Sequence, residues 1–99
     1  LVSKIGGVVP NVLFKKANIA FENRNYEQAA ELLTNLMQNH GDDILADNAT
    51  FMLGDIYENK LKNPEKAMEY YKKIITDFSG SILMVEARKR FRHLRGDGV

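Results

Sequence analysis

His40, Asp42 and Asp43 lie within four residues of one another, and an imidazole beside carboxylates is a donor set that metals use. Their spacing is neither a helical histidine pair nor the glycine-centred loop that wraps calcium. A helix end followed by acids at the start of the next helix accounts for them better, because carboxylates favour the positive end of a helix dipole. No metal and no other cofactor is expected. Ser3, Ser79 and Ser81 all stand beside turn residues, and neither His40 nor His93 sits where a base would be held against a nucleophile. With no cysteine in the chain, thiolate chemistry and disulfides are excluded. An enzyme is not expected.

The basic run EARKRFRHLR over 86–95 is a sharper candidate. On a helix, Ala87, Phe91 and Leu94 point inward while Arg88, Lys89, Arg92 and Arg95 spread over the remaining surface. One reading is a solvated cap whose cations suit the negative end of the helix. The other is a patch for phosphate, nucleic acid, anionic lipid or an acidic partner. No exposed aromatics interleave with these cations for base stacking, so the cap is the preferred reading and nucleic acid is not an expected partner. Two further motifs read as coincidences: Arg95-Gly96-Asp97 at a frayed helix end, and the glycosylation acceptor Asn48-Ala49-Thr50 inside a helix.

These residues need elements to position them. The 99 residues, 27% charged and 44% hydrophobic, suit one small domain with a modest core. Fourteen Lys and Arg against 13 Asp and Glu leave a formal charge of +1, which argues against a generally basic nucleic-acid binder or an acidic solvating chain. The charge is unevenly spread, with four basic and six acidic side chains in 1–49 and ten basic and seven acidic in 50–99. No apolar run approaches the roughly 20 residues that span a bilayer. The chain begins at Leu1 without a signal-like segment and reads as a piece of something longer.

Residues 1–10, with Gly6, Gly7 and Pro10, read as a loop or the remnant of a preceding element. Helical periodicity follows. Leu13, Ala17, Ala20 and Phe21 make one buried face; Tyr26, Ala29, Ala30, Leu33, Leu36 and Met37 make a second. Gly41 then stands where helices often stop in a left-handed residue. A third helix carries Ala46, Ala49, Leu53, Ile56 and Tyr57 and runs to about Asn59. Asn63 can cap a fourth helix with Pro64 at its first position and Ala67, Tyr70, Tyr71, Ile74, Ile75 and Phe78 on its inner face. Ser81 can cap a fifth, whose inner side is Met84, Ala87, Phe91 and Leu94. No segment alternates long enough to be a strand, so the fold class is all-α.

The helices repeat. Ala29 and Ala67, Leu33 and Tyr71, and Leu36 and Ile74 each stand 38 residues apart, and small residues at Ala17, Ala29, Gly54 and Ala67 let helices approach. In the stretches 13–37 and 51–75 the chain resembles the tetratricopeptide repeat family. Leu53-Gly54, Tyr57, Ala67, Tyr71 and Ile74 fall on that family's signature positions, as do Ala17, Tyr26, Ala29, Leu33 and Leu36. Lys16 replaces an apolar residue, Gly41 and Ser79 replace the proline that often ends the second helix, and the turn of the second repeat carries one extra residue over the usual 34-residue unit. The whole is similar to repeat modules of bacterial envelope assembly proteins, which implies the periplasm or envelope rather than the cytoplasm.

The resemblance implies antiparallel helix hairpins stacked as a short right-handed α-solenoid: repeat one over 11–41, repeat two over 44–80, a capping helix over 81–95 and a flexible tail at 96–99. It also implies a concave face lined by first helices, at Asn11, Phe14, Asn18, Phe21 and Glu22 and at Asn48, Phe51, Asp55, Glu58 and Asn59. Asn18, Phe51, Asp55, Glu58 and Asn59 are the expected contacts for a partner peptide or protein segment, in a non-catalytic scaffold. A carboxylate clamp does not fit, since Phe14 stands at the clamp lysine's position and Asp55 and Glu58 would repel a carboxylate. The rival readings are a structural, self-associating module with apolar residues exposed near Val8, Val9, Val12 and Leu13, and anion binding through Arg88, Lys89, Arg92 and Arg95.

Overall fold

The computed structural model describes residues 9–96. Five α-helices follow one another: α1 Val9–Glu22, α2 Tyr26–Asn39, α3 Ala46–Asp55, α4 Pro64–Asp77 and α5 Met84–Arg95. One π-helical turn, Ile56–Lys60, continues α3, and no strand occurs among the described residues. Residues 1–8 of the expected N-terminal loop and 97–99 of the expected tail lie outside the described residues. Val9 and Pro10 belong to α1, with Pro10 buried in the first turn, where its missing N–H had no intrahelical partner to lose.

α1 packs on α2 and α3 on α4 as antiparallel hairpins, α2 joins the two, and α5 lies on α4. Extents of 52, 30 and 17 Å describe a short stack in which each helix meets its chain neighbours. The 38-residue repeat is a repeat of burial: Ala29 and Ala67, Leu33 and Tyr71, and Leu36 and Ile74 are all inaccessible. Gly54 allows the closest approach. A Cβ there would lie 2.5 Å from Cε1 of Tyr71, so only glycine lets α3 and α4 pack at this distance.

The π turn locates the extra residue of the second repeat. Ala17 and Gly54 stand 37 residues apart but Ala29 and Ala67 stand 38, so one residue enters between the two helices of the second hairpin. It is absorbed where α3 widens: Leu61 N–H donates to the Ile56 carbonyl at 2.9 Å and Asn63 N–H to the Tyr57 carbonyl at 2.7 Å. The third helix, expected to run to about Asn59, is an α-helix to Asp55 that continues as a π turn to Lys60.

Several local expectations meet the backbone directly. Asn63 caps α4 by accepting from Lys66 N–H at 3.2 Å, with Pro64 at the helix start. Gly41 is not left-handed. Its lack of a Cβ matters because that atom would meet the Met37 carbonyl oxygen at 2.9 Å. The left-handed residues are instead Arg24 and Lys62, at φ 67° and 56°, in matching turns of the two hairpins, and Gly96 at 95°, which ends α5.

Ser81 does not cap α5, which starts three residues later. Its Oγ accepts from Leu83 N–H at 3.0 Å and donates to Asp47 Oδ2 at 2.6 Å, tying this turn to the start of α3. Asp43 closes the corresponding turn of the preceding repeat, its Oδ1 accepting from Leu45 N–H at 2.9 Å. Tyr70, Ile75 and Phe78, expected on the inner face of α4, are only half-buried because they flank the contact; Tyr70 stacks on Tyr57 with centroids 5.7 Å apart.

Candidate functional site

α3 and its π turn present Phe51, Asp55, Glu58 and Asn59 along one side, at offsets of 4, 7 and 8 residues. The structure brings these four together. Asn59 Nδ2 donates to Asp55 Oδ1 at 2.6 Å, and Phe51 packs on the ring of Tyr71 with centroids 5.6 Å apart. Tyr71 reaches in from α4 and its hydroxyl donates to Glu58 Oε1 at 2.8 Å.

The centre of the cluster is Arg90 of α5, a residue not among the expected site positions. Its Nη1 lies 3.4 Å from Asp55 Oδ1, 3.5 Å from Glu58 Oε1 and 3.4 Å from the Tyr71 hydroxyl. Its Nε donates to Glu86 Oε2 at 3.1 Å, and its guanidinium sits 5.4 Å from the Phe51 ring centroid. Helical spacing alone places Arg90 beside the other cations of 86–95. The one sequence signal for a separate role is Glu86, four residues before it.

The groups are electrostatically coupled. Burial first, and then the bond to Glu58, hold the Tyr71 phenol above its ordinary value of 10.0, so it acts as a neutral donor. Partial burial works against the charge on Arg90, but the hydrogen bonds to Tyr71 and Glu86 outweigh it and the guanidinium is held more firmly protonated. Three carboxylates, Asp55, Glu58 and Glu86, share this one cation. With side-chain exposures of 34% for Asp55 and 17% for Glu58, the site keeps a negative rim open to solvent.

Asn18 stands apart. Its Nδ2 donates to the Phe14 carbonyl of its own helix at 2.9 Å, and it lines a separate pocket of about 480 Å³ with Asn11, Phe14, Ile19 and Leu45. Phe21 packs edge-on to Tyr26 at 5.3 Å with Lys60 above both rings, a contact between the hairpins. The basic residues divide. Arg88, Lys89 and Arg92 line an open pocket along α5 that Glu58, Glu86 and Arg90 also line, while Arg95 lies over Phe91 at 5.1 Å.

The remaining motifs are occupied locally. Asp43 is engaged in its own turn, and among the described residues no group of three or more His, Asp or Glu could hold a metal ion. Thr50 of the glycosylation-like triplet is buried in α3 and donates to the Ala46 carbonyl at 2.7 Å. No described helix is long and apolar enough to cross a membrane. Asp97 of the tripeptide at 95–97 lies outside the described residues.

A family model for the tetratricopeptide repeat matches the chain twice, over residues 11–43 and 48–81, the two hairpins of the fold. No curated protein and no solved structure matches the chain.

Proposed function

We propose, from the premise that the chain belongs to the tetratricopeptide repeat family, that it is a non-catalytic scaffold binding a partner peptide or protein segment at Phe51, Asp55, Glu58 and Asn59, with Asn18 extending the contact along the first-helix face. Repeats of this family mediate protein–protein interaction. The observation that carries the finer reading is the half-buried Phe51 ring rimmed by three carboxylates around one guanidinium. An apolar anchor with a polar, partly solvated border is what a peptide-reading surface needs. Because the carboxylates outnumber Arg90, the favoured segment carries a lysine or arginine beside an apolar side chain, its cation competing with Arg90 for Asp55 and Glu58.

A partner identified by cross-linking pull-down supplies the test. Phe51→Ala combined with Asp55→Lys should weaken that partner at least about tenfold while far-ultraviolet circular dichroism stays helical. Undiminished binding by a helical double variant would move the interface elsewhere. End-to-end stacking is a second reading, favoured by Val12 and Ile19, 42% and 50% exposed on α1. They stand 37 residues before Ala49 and Ile56, which α3 buries in the core it shares with α2. A light-scattering mass that stays monomeric across a concentration series removes that reading.

A further inference from the structure

On α3 two stripes of side chains are buried against different neighbours. Ala49, Leu53 and Ile56 belong to the core shared with α2, while Gly54 lies against Tyr71 of α4 and Thr50 is buried beside it in sequence register. Thirty-eight residues on, α5 repeats the first stripe with Ala87, Phe91 and Leu94, packed in the core with α4. At the second stripe, the positions of Thr50 and Gly54 are taken by Arg88 and Arg92, both exposed. α5 has one face seated on α4 and another open where α3 receives a helix.

That open face borders a groove in which cations outnumber carboxylates. Val85, Arg88, Lys89, Arg92 and His93 line a groove of about 620 Å³, and Val85 is 73% exposed within it. Arg88, Lys89 and Arg92 make no ion pair among the described residues; Arg88 Nη2 reaches only Met84 Sδ, at 3.2 Å. Glu58, Glu86 and Arg90 line the same groove, where it adjoins the cluster around Phe51.

We infer that this open face of α5 is a docking site for an acidic amphipathic helix of a protein partner, lying on the side where α3 receives α4 but farther from the backbone. The helical shape follows from the register: the face has the spacing that α3 uses to receive α4. The acidity follows from the cations. Arginines in place of Thr50 and Gly54 keep a second backbone at a distance that long carboxylate side chains bridge, and the guanidinium fork matches them. Val85 offers the apolar contact for the other edge of such a helix. A nucleic acid or an anionic bilayer fits less well, because Glu58 and Glu86 interrupt the positive surface and a groove does not meet a flat membrane.

Four labelled probes test this by fluorescence anisotropy: a stapled helix with glutamates at i, i+4 and i+7 beside a leucine stripe, the same helix with glutamines, a single-stranded oligothymidylate, and phosphatidylglycerol vesicles read by sedimentation. The glutamate helix should bind saturably at low salt and weaken as salt rises toward about 0.15 M. The glutamine helix, and the glutamate helix on Arg88→Glu with Arg92→Glu, should each bind about tenfold or more weakly. Both substituted positions are exposed, so circular dichroism should show an unaltered fold. Asn59→Ala should leave the affinity unchanged, which separates this face from the one proposed above. Equal binding of the glutamine helix, tighter binding of the oligonucleotide or vesicles, or full binding by the double variant would each overturn the inference.

Discussion

Arg90 and Tyr71 meet the same carboxylate, Glu58, but their contributions differ in kind. The Arg90 side chain is 32% exposed and Asp55 34%, so solvent screens their attraction and each such pair contributes at most about 1 kcal/mol. What Arg90 determines is direction: it holds three carboxylates and the Phe51 ring in one constellation. Tyr71 is inaccessible, and its raised pKa is coupled to folding. The unfolded phenol ionises near 10.0 and the folded one above that, so between the two values the unfolded chain has released a proton that the folded chain retains. The stabilisation is complete below pH 10 and is lost as pH rises. Stability should fall by up to about 1.4 kcal/mol per pH unit above that point, and Tyr71→Phe should remove this component of the slope. Thermal melts of both proteins from about pH 9 to 11.5 check it, the difference between the two curves isolating the phenol. Parallel curves would mean that the phenol titrates as in the unfolded chain.

The helices and their connections carry a second kind of information. Both hairpin turns pass through a left-handed non-glycine residue, Arg24 in the first and Lys62 in the second. The left-handed conformation costs a residue with a Cβ about 1–2 kcal/mol, and glycine gives back part of that through its greater unfolded freedom. Lys62→Gly should therefore raise stability by about 0.5–1 kcal/mol, read as a higher urea midpoint with an unchanged slope. A midpoint that stays or falls would mean the Lys62 side chain supplies contacts that offset the strain. These turns also show where sequence reading stops. The apolar stripes were legible because burial repeats at helical spacing, and Asn63-Pro64 was legible because cap chemistry is local. Nothing in Asn23-Arg24-Asn25 or Leu61-Lys62-Asn63 marks the middle residue for positive φ. The extra residue could be counted from the signature positions, but only the backbone bonds from Leu61 and Asn63 place it in a π turn. Phe51, Asp55, Glu58 and Asn59 could be grouped because they share one helix face. Arg90 could not, since its partners Asp55 and Glu58 lie 35 and 32 residues away on another element.

As a whole the molecule is a stack with two buried clusters. One joins α1, α2 and α3 through Ala17, Ala29, Leu33, Leu36 and Leu53; the other joins α4 and α5 through Ala67, Tyr71, Ile74 and Ala87. Tyr57 packs against both, so the π turn is also the joint between them. In such a stack, stability is nearly a sum over neighbouring interfaces, and damage should stay where it is inflicted. Ile74→Ala empties a fully buried position in the second cluster and should destabilise by about 2–5 kcal/mol, a large fraction of what a domain this size possesses. Hydrogen exchange resolved by residue distinguishes a local loss from a global one. If the clusters are separable, amides of α4 and α5 should lose most protection while those of α1 and α2 keep theirs. α3 should show an intermediate loss, because it contributes Phe51 and Tyr57 to the second cluster while its own core faces the first. Equal acceleration throughout would mean that the joint at Tyr57 couples the clusters into one cooperative unit. A partner seated at Phe51 would then stabilise α1 as strongly as α5.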